Sequence, residues 1–207
     1  MEAYTTVRQH GTAEIEEKKS VFIGNAAPVE SEAEAIAFIE KIRASMPDAR
    51  HHVYAYLLRA GNTTRYSDDH EPQGTAGMPV LEVLRKAGCT DTVIVVTRYF
   101  GGILLGTGGL CRAYTAAAVS ALGAAEVVTR RPLTELAVEC GYSEYQKLLA
   151  EFPRMGIMVD GTDFAQNVRV RLAVPSENTS MAVEKMTEIC AGRLKTEEIG
   201  CRFDIFS

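Results

Sequence analysis

Apolar and polar positions switch between two periods along this chain, and the switches mark its elements. Thr12–Glu16 and Ser20–Gly24 read as extended segments joined by the charged turn Glu16-Glu-Lys-Lys19. Ser31-x-x-Glu34 is a capping box, after which Ala35, Ile39, Ile42 and Met46 recur at helical spacing until Pro47 stops the run. His52–Arg59 reads as a strand and Gly61-Asn62 as a turn. A second helix carries Val80, Leu81, Leu84 and Ala87 and closes at Gly88. The apolar run Val93–Val96 has the look of a strand buried on both faces, and Ala113–Leu122 that of an alanine-rich helix.

Arg130-Arg131-Pro132 predicts a boundary, because proline removes an N–H and restricts the residue before it. Beyond it, Leu133–Cys140 alternates like a strand. Ser143-x-x-Gln146 opens a helix with Tyr145, Leu148, Leu149 and Phe152 on one face. Ile157–Val159 and Val168–Leu172 read as strands around a turn at Gly161 and Asp163. Ser176–Ala191 is a helix with Ala182, Met186 and Ile189 in register, closed by Gly192, and Lys195–Phe206 is extended. The order β-α-β-β-α-β is the split βαβ of ferredoxin-like domains. The predicted class is therefore α+β in two domains, 1–131 and 132–207.

The stretch between Val96 and Ala113 concentrates the candidate chemistry. It holds Gly101, Gly102, Gly106, Gly108 and Gly109, flanked by Arg98 and Arg112. Glycine is conformationally expensive to order, so five in one connection point to positive φ or to a close neighbour. A glycine-rich loop that runs into a helix exposes amide hydrogens at the positive end of the helix dipole, an arrangement that suits anions. Tight packing of the helix on a sheet through Gly108 and Gly109 is the structural alternative. The spacing matches neither the phosphate loop with its lysine nor the dinucleotide fingerprint.

A second loop, Arg65–Gly77, places Asp68, Asp69 and Glu71 around His70 before the second helix. Such carboxylates can ligate a divalent cation, act as acid and base, or simply favour the N-terminus of the next helix. His51 and His52 are adjacent on a strand, so alternation sends their rings to opposite faces and away from a shared ligand set. Arg169 and Arg171 share a strand face that reads as solvated.

Hydrophobic residues make up 46%, ample for a core, and no stretch approaches the ~20 apolar residues of a membrane helix. The start, Met1–Arg8, lacks the apolar region of a secretory signal, and the five cysteines form no C-x-x-C pair. A cytoplasmic protein with reduced thiols and no metal or cofactor is expected. The net charge is −5; residues 1–131 hold 14 Lys and Arg against 15 Asp and Glu, and the remainder 8 against 12. A chain-wide basic field for nucleic acid is thereby excluded, and any such contact must use a local patch in the first half.

Ser67–Gly77, Arg98–Gly106 and Gly108–Tyr114, taken together with their separation, resemble the YigZ/IMPACT family over about Gly11 to Val128. The tail is similar to the C-terminal domain of the bacterial YigZ-like branch, which resembles a ferredoxin-like domain of elongation factor G. The resemblance implies a first domain with the fold of one ribosomal protein's second domain, a cytosolic setting, and a link to translation. Eukaryotic members regulate translation by binding partner proteins. For the bacterial branch it implies RNA or ribosome binding. On this reading the Gly101–Gly109 amides, Arg98 and Arg112 would meet RNA phosphates or an acidic partner, and Tyr66, Tyr99 and Phe100 would stack on unpaired bases. The alternatives are an enzyme on a small phosphorylated or acidic ligand, with Asp68, Asp69 or Glu71 holding magnesium or serving as base, and a protein–protein adaptor. The sequence departs from the family at His70, commonly glycine, and at Leu104, lysine in many bacterial members.

Overall fold

The computed structural model describes residues 2–205, which divide into two compact units, Tyr4–Thr129 and, together with residues 2–3, residues 130–205. The predicted Phe206 end of the last strand lies outside the described residues.

The first unit is built on an antiparallel five-stranded sheet. Its strands are β2 (Gly11–Glu17), β3 (Ser20–Pro28), β4 (His51–Leu58), β5 (Thr63–Ser67) and β6 (Thr92–Tyr99), in the order β2-β3-β6-β4-β5. The short β1 (Tyr4–Val7) precedes them and bridges in parallel from Thr5 to Cys89. β6 is central, and every residue from Thr92 to Arg98 is buried because helices cover both faces. Val93 and Val95 pack with Ile39 and Ile42 of α1 (Glu32–Ser45). Ile94 and Val96 pack in the larger cluster with α2 (Gly77–Lys86) and α3 (Gly106–Ala124).

At the start of α1 one half of the predicted capping box forms, with Ser31 Oγ accepting from the Glu34 amide at 3.3 Å, while Glu34 Oε2 reaches one residue past the N-cap to accept from the Glu30 amide at 2.8 Å. α3 lies hard against β2 and β3. Its Ala117 and Ala121 meet Gly24, where a Cβ would stand 2.6 Å from the Ala117 carbonyl oxygen, and a Cβ at Gly11 would stand 2.1 Å from the Ala125 nitrogen. The alanine-rich sequence of α3 is thus a consequence of close approach: only small residues on both partners let helix and sheet backbones touch.

The second unit follows the predicted β-α-β-β-α-β order. Its elements are β7 (Val127–Cys140, whose first residues belong to the first unit), α4 (Tyr142–Glu151), β8 (Met158–Phe164), β9 (Val168–Pro175), α5 (Thr179–Ile189) and β10 (Lys195–Ile205). The four strands are antiparallel in the order β10-β7-β9-β8, the ferredoxin-like arrangement. Leu136, Val138, Val170 and Leu172 pack under Leu148, Phe152, Ala182 and Met186.

Four local expectations change. α4 opens at Tyr142 behind Gly141 with no side-chain cap, so Ser143 lies inside the helix and does not open it. β7 runs unbroken through Arg130-Arg131-Pro132; its ladder to β9 starts only at Leu133, so the proline's missing donor removes no bond there. Gly161 and Asp163 lie within β8, and the reversal falls at Ala165–Asn167, where the Ala165 amide bonds the Asn167 carbonyl at 3.0 Å. Leu149, expected on the buried face of α4, is exposed.

Candidate functional site

The acidic loop between β5 and α2 spends its carboxylates inside the fold. Asp68 accepts from the amides of Gly74, Ala76 and Gly77 at 2.9, 3.1 and 2.8 Å, which caps α2 from eight residues upstream. Asp69 accepts the His52 amide at 2.6 Å and an Arg43 N–H at 3.3 Å, and its own carbonyl meets His51 Nδ1 at 2.8 Å. The loop is thereby fastened to the start of β4. Asp69 and His70 both hold positive φ, 41° and 70°, a conformation glycine adopts more freely than a side-chained residue. His52 is buried, with Nδ1 3.0 Å from Thr97 Oγ1; burial lowers its pKa, against the opposing charge of Asp69.

Glu71 is the third carboxylate, and its side chain is only 4% exposed. Its Oε1 accepts from Arg98 Nη1 at 2.7 Å and from the Tyr114 hydroxyl at 2.8 Å. Tyr114 is fully buried, packs edge-on against Phe22 at 5.1 Å, and has its phenol pKa pushed well up, first by burial and then by the Glu71 charge. This cluster joins the two sequence-predicted loops, since Glu71 comes from one, Arg98 from the other, and Tyr114 from the helix between them and the core.

The expected two-arginine clamp therefore fails at Arg98. Its side chain is 7% exposed and paired inward, because it shares strand parity with Ile94 and Val96. The three carboxylates also point to separate internal partners. Among the described residues, no group of three or more His, Cys, Asp or Glu is placed to hold a metal ion. The magnesium or acid–base role for Asp68, Asp69 and Glu71 thus loses its geometry.

The glycine loop keeps more of its predicted character. α3 begins at Gly106, seven residues earlier than expected, so Gly106, Gly108 and Gly109 form its first turn. Leu105 precedes it without a side-chain cap, and among the described residues the amides of Gly106, Thr107 and Gly108 have no hydrogen-bond acceptor. Gly102 and Gly106 hold φ of 83° and 71°, with open space where a side chain would project. Gly108 is exposed, and the position of its missing Cβ lies 3.5 Å from Arg112 Nη1, which puts that guanidinium alongside the turn. Arg112 is exposed and forms no ion pair among the described residues. Gly109 faces the Leu105 side chain of its own turn rather than the sheet, so the tight-packing role belongs to Gly11 and Gly24 instead.

Gly101 differs from its neighbours. Its amide is taken by Ser20 Oγ at 3.1 Å, and a Cβ there would stand 2.0 Å from the Lys19 carbonyl carbon. The loop is thus pinned to the β2–β3 turn. Lys18 and Lys19 form that turn, both exposed, where the sequence alone shows only a charged reversal. Beside it, Phe100, Ile103 and Leu104 are exposed by 53%, 42% and 83%.

Residues 18–122 match the family described as the Impact N-terminal domain, and residues 138–193 match a domain of unknown function, DUF1949. The chain is 36% identical to the IMPACT family member YvyE of Bacillus subtilis over 199 residues, 96% of this chain and 92% of that protein. The chain belongs to the IMPACT family. It is likewise 36% identical to the family member YigZ of Escherichia coli, covering 86% of this chain and 89% of that one. A crystal structure of a hypothetical protein matches 97% of this chain and 98% of its own at a TM-score of 0.62 and 35% identity. Eukaryotic relatives match about half of the chain: Protein IMPACT of Xenopus laevis is 31% identical over 101 residues, 47% of this chain and 32% of that protein. The glycine loop and the acidic loop both fall inside the residues that match the Impact N-terminal domain.

Proposed function

We propose that this IMPACT-family chain is a translation-associated RNA- or ribosome-binding module that holds phosphate at the first turn of α3. The observation that carries the reading is the uncapped, glycine-built start of a 19-residue helix, open to solvent, with the Arg112 guanidinium beside it. Unpaired amides and the aligned peptide dipoles favour an anion there, and the missing side chains at Gly106 and Gly108 let a phosphate oxygen come close. Arg112 adds a forked, permanently charged donor. Kinship with eukaryotic IMPACT supports the translation setting, through the family resemblance noted in the sequence. The net charge of −5 confines the attraction to this patch. Exposed Ile103 and Leu104 favour a second reading, in which the same surface meets an acidic protein.

A salt titration of fluorescence anisotropy with a labelled RNA tests it. Three phosphate contacts give a log–log slope of about −2, so affinity falls roughly 20-fold between about 50 and about 200 mM salt. Arg112→Glu lowers affinity and flattens the slope. Salt-independent binding, or wild-type affinity in Arg112→Glu, rejects the reading.

A further inference from the structure

The β2–β3 turn and the residue before Gly101 supply a second element of this surface. Two-residue hairpin turns of this handedness favour Asn-Gly, because side-chained residues are strained at positive φ. Here both places are lysine, Lys18 at φ 47° and Lys19 at φ 65°. Neither forms an ion pair among the described residues, so no contact within the protein accounts for the two cations. Gly101 holds this turn against the loop by direct backbone contact. Phe100 immediately precedes Gly101 and is half exposed, with the Arg98 guanidinium carbon 5.6 Å from its ring centroid. Since Arg98 is itself fixed by Glu71, the ring rests on an immobile support. Of the three aromatic candidates, Phe100 is the neighbour of Gly101 and the most exposed. Tyr99 has the strand parity of Val93 and Val95, on the α1 face, and Tyr66 sits on edge strand β5 against Gly77.

We propose that this surface takes single-stranded RNA, with one base stacked on Phe100 and the neighbouring phosphates on Lys18 and Lys19. The inference rests on the RNA reading above and adds which form of RNA is bound. A duplex buries the faces of its bases, whereas an unpaired base offers one to an exposed ring; stacking of this kind tolerates any sequence.

The test uses the full chain with a labelled oligouridylate of about ten residues and an RNA duplex of the same length. Phe100→Ala weakens oligouridylate binding about 10-fold, from the loss of one stacked base, and leaves duplex binding unchanged. Lys18→Ala with Lys19→Ala weakens it and reduces the salt slope by about 1.4, for two single-strand phosphate contacts. Phe100 and both lysines are exposed, so the variants keep the wild-type urea midpoint. The inference is overturned if Phe100→Ala binds oligouridylate like wild type, if it weakens duplex equally, or if an acidic peptide displaces oligouridylate as well as unlabelled RNA does. Should salt-sensitive binding survive these variants yet vanish in Arg112→Glu, the phosphate reading stands and the single-strand inference falls. If wild type binds neither RNA, both fall.

Discussion

Replacing Arg98 by methionine tests how the two loops are joined. The variant keeps much of the side-chain volume and removes the charge, leaving the Glu71 carboxylate with the Tyr114 hydroxyl as its remaining donor. With side chains 7% and 4% exposed, solvent cannot screen the pair or rescue the orphaned charge. Breaking a buried pair on one side costs about 3–5 kcal/mol. Among the described residues Arg98 Nε is buried without a hydrogen-bond partner, and relieving that penalty of about 1–3 kcal/mol moves the expected loss to the lower end, about 3 kcal/mol. Tyr114→Phe removes one hydrogen bond to a charged acceptor and loses about 1.5–3 kcal/mol. Urea unfolding followed by circular dichroism measures both, with the first unit's transition resolved from the second's if they separate. A cycle combining Arg98→Met with Glu71→Met isolates the pair: the double variant loses less than the two singles together. If Arg98→Met stays within about 0.5 kcal/mol of wild type, the range of ordinary surface changes, the inward pairing is wrong and Arg98 returns as a candidate phosphate ligand.

Four further outcomes follow from other contacts. Gly24→Ala forces a methyl to 2.6 Å from the Ala117 carbonyl and destabilises by about 1–3 kcal/mol or more in the same unfolding assay. Asp68→Ala uncaps α2 and loses about 0.5–2 kcal/mol. The Tyr56 phenol is pushed up to about 12 by burial and by its 2.7 Å hydrogen bond to Glu32; because the folded pKa is raised, its contribution is full below pH about 10 and disappears as pH climbs from there towards 12. Tyr56→Phe, followed by alkaline unfolding, abolishes that part of the pH dependence. Leu104→Lys restores a cation beside the α3 turn at a position 83% exposed, so it raises RNA affinity and steepens the salt slope by about 0.7 for one added single-strand contact.

Periodicity and punctuation carried most of the architecture into view. The Val93–Val96 run, the Ser31–Glu34 box and the split βαβ order could all be read directly, because each rests on contacts within a few residues or on a regular face. What escaped depended on distant partners. The start of α3 is glycine-rich and looks non-helical by propensity; Leu110 and Tyr114, packed in the core, hold it in the helix. Gly24 gave no hint of Ala117, 93 positions away. Arg98 is the instructive case: its parity with Ile94 and Val96 already placed it on a buried face, and the missing knowledge was that Glu71 waited there. The lysine turn was visible as charge but not as a neighbour of Gly101, since backbone contact across 82 positions has no local signature.

Backbone amide shifts of the nitrogen-labelled chain, recorded while a short RNA is titrated in, bear most directly on the proposed docking surface. The account predicts that Gly102, Gly106, Thr107 and Gly108 move together with Lys18 and Lys19 and saturate at one affinity, while amides already bonded within the fold, such as Gly77 to Asp68, stay still. Saturable shifts confined to other parts of the chain, with the α3 turn unmoved, would contradict it.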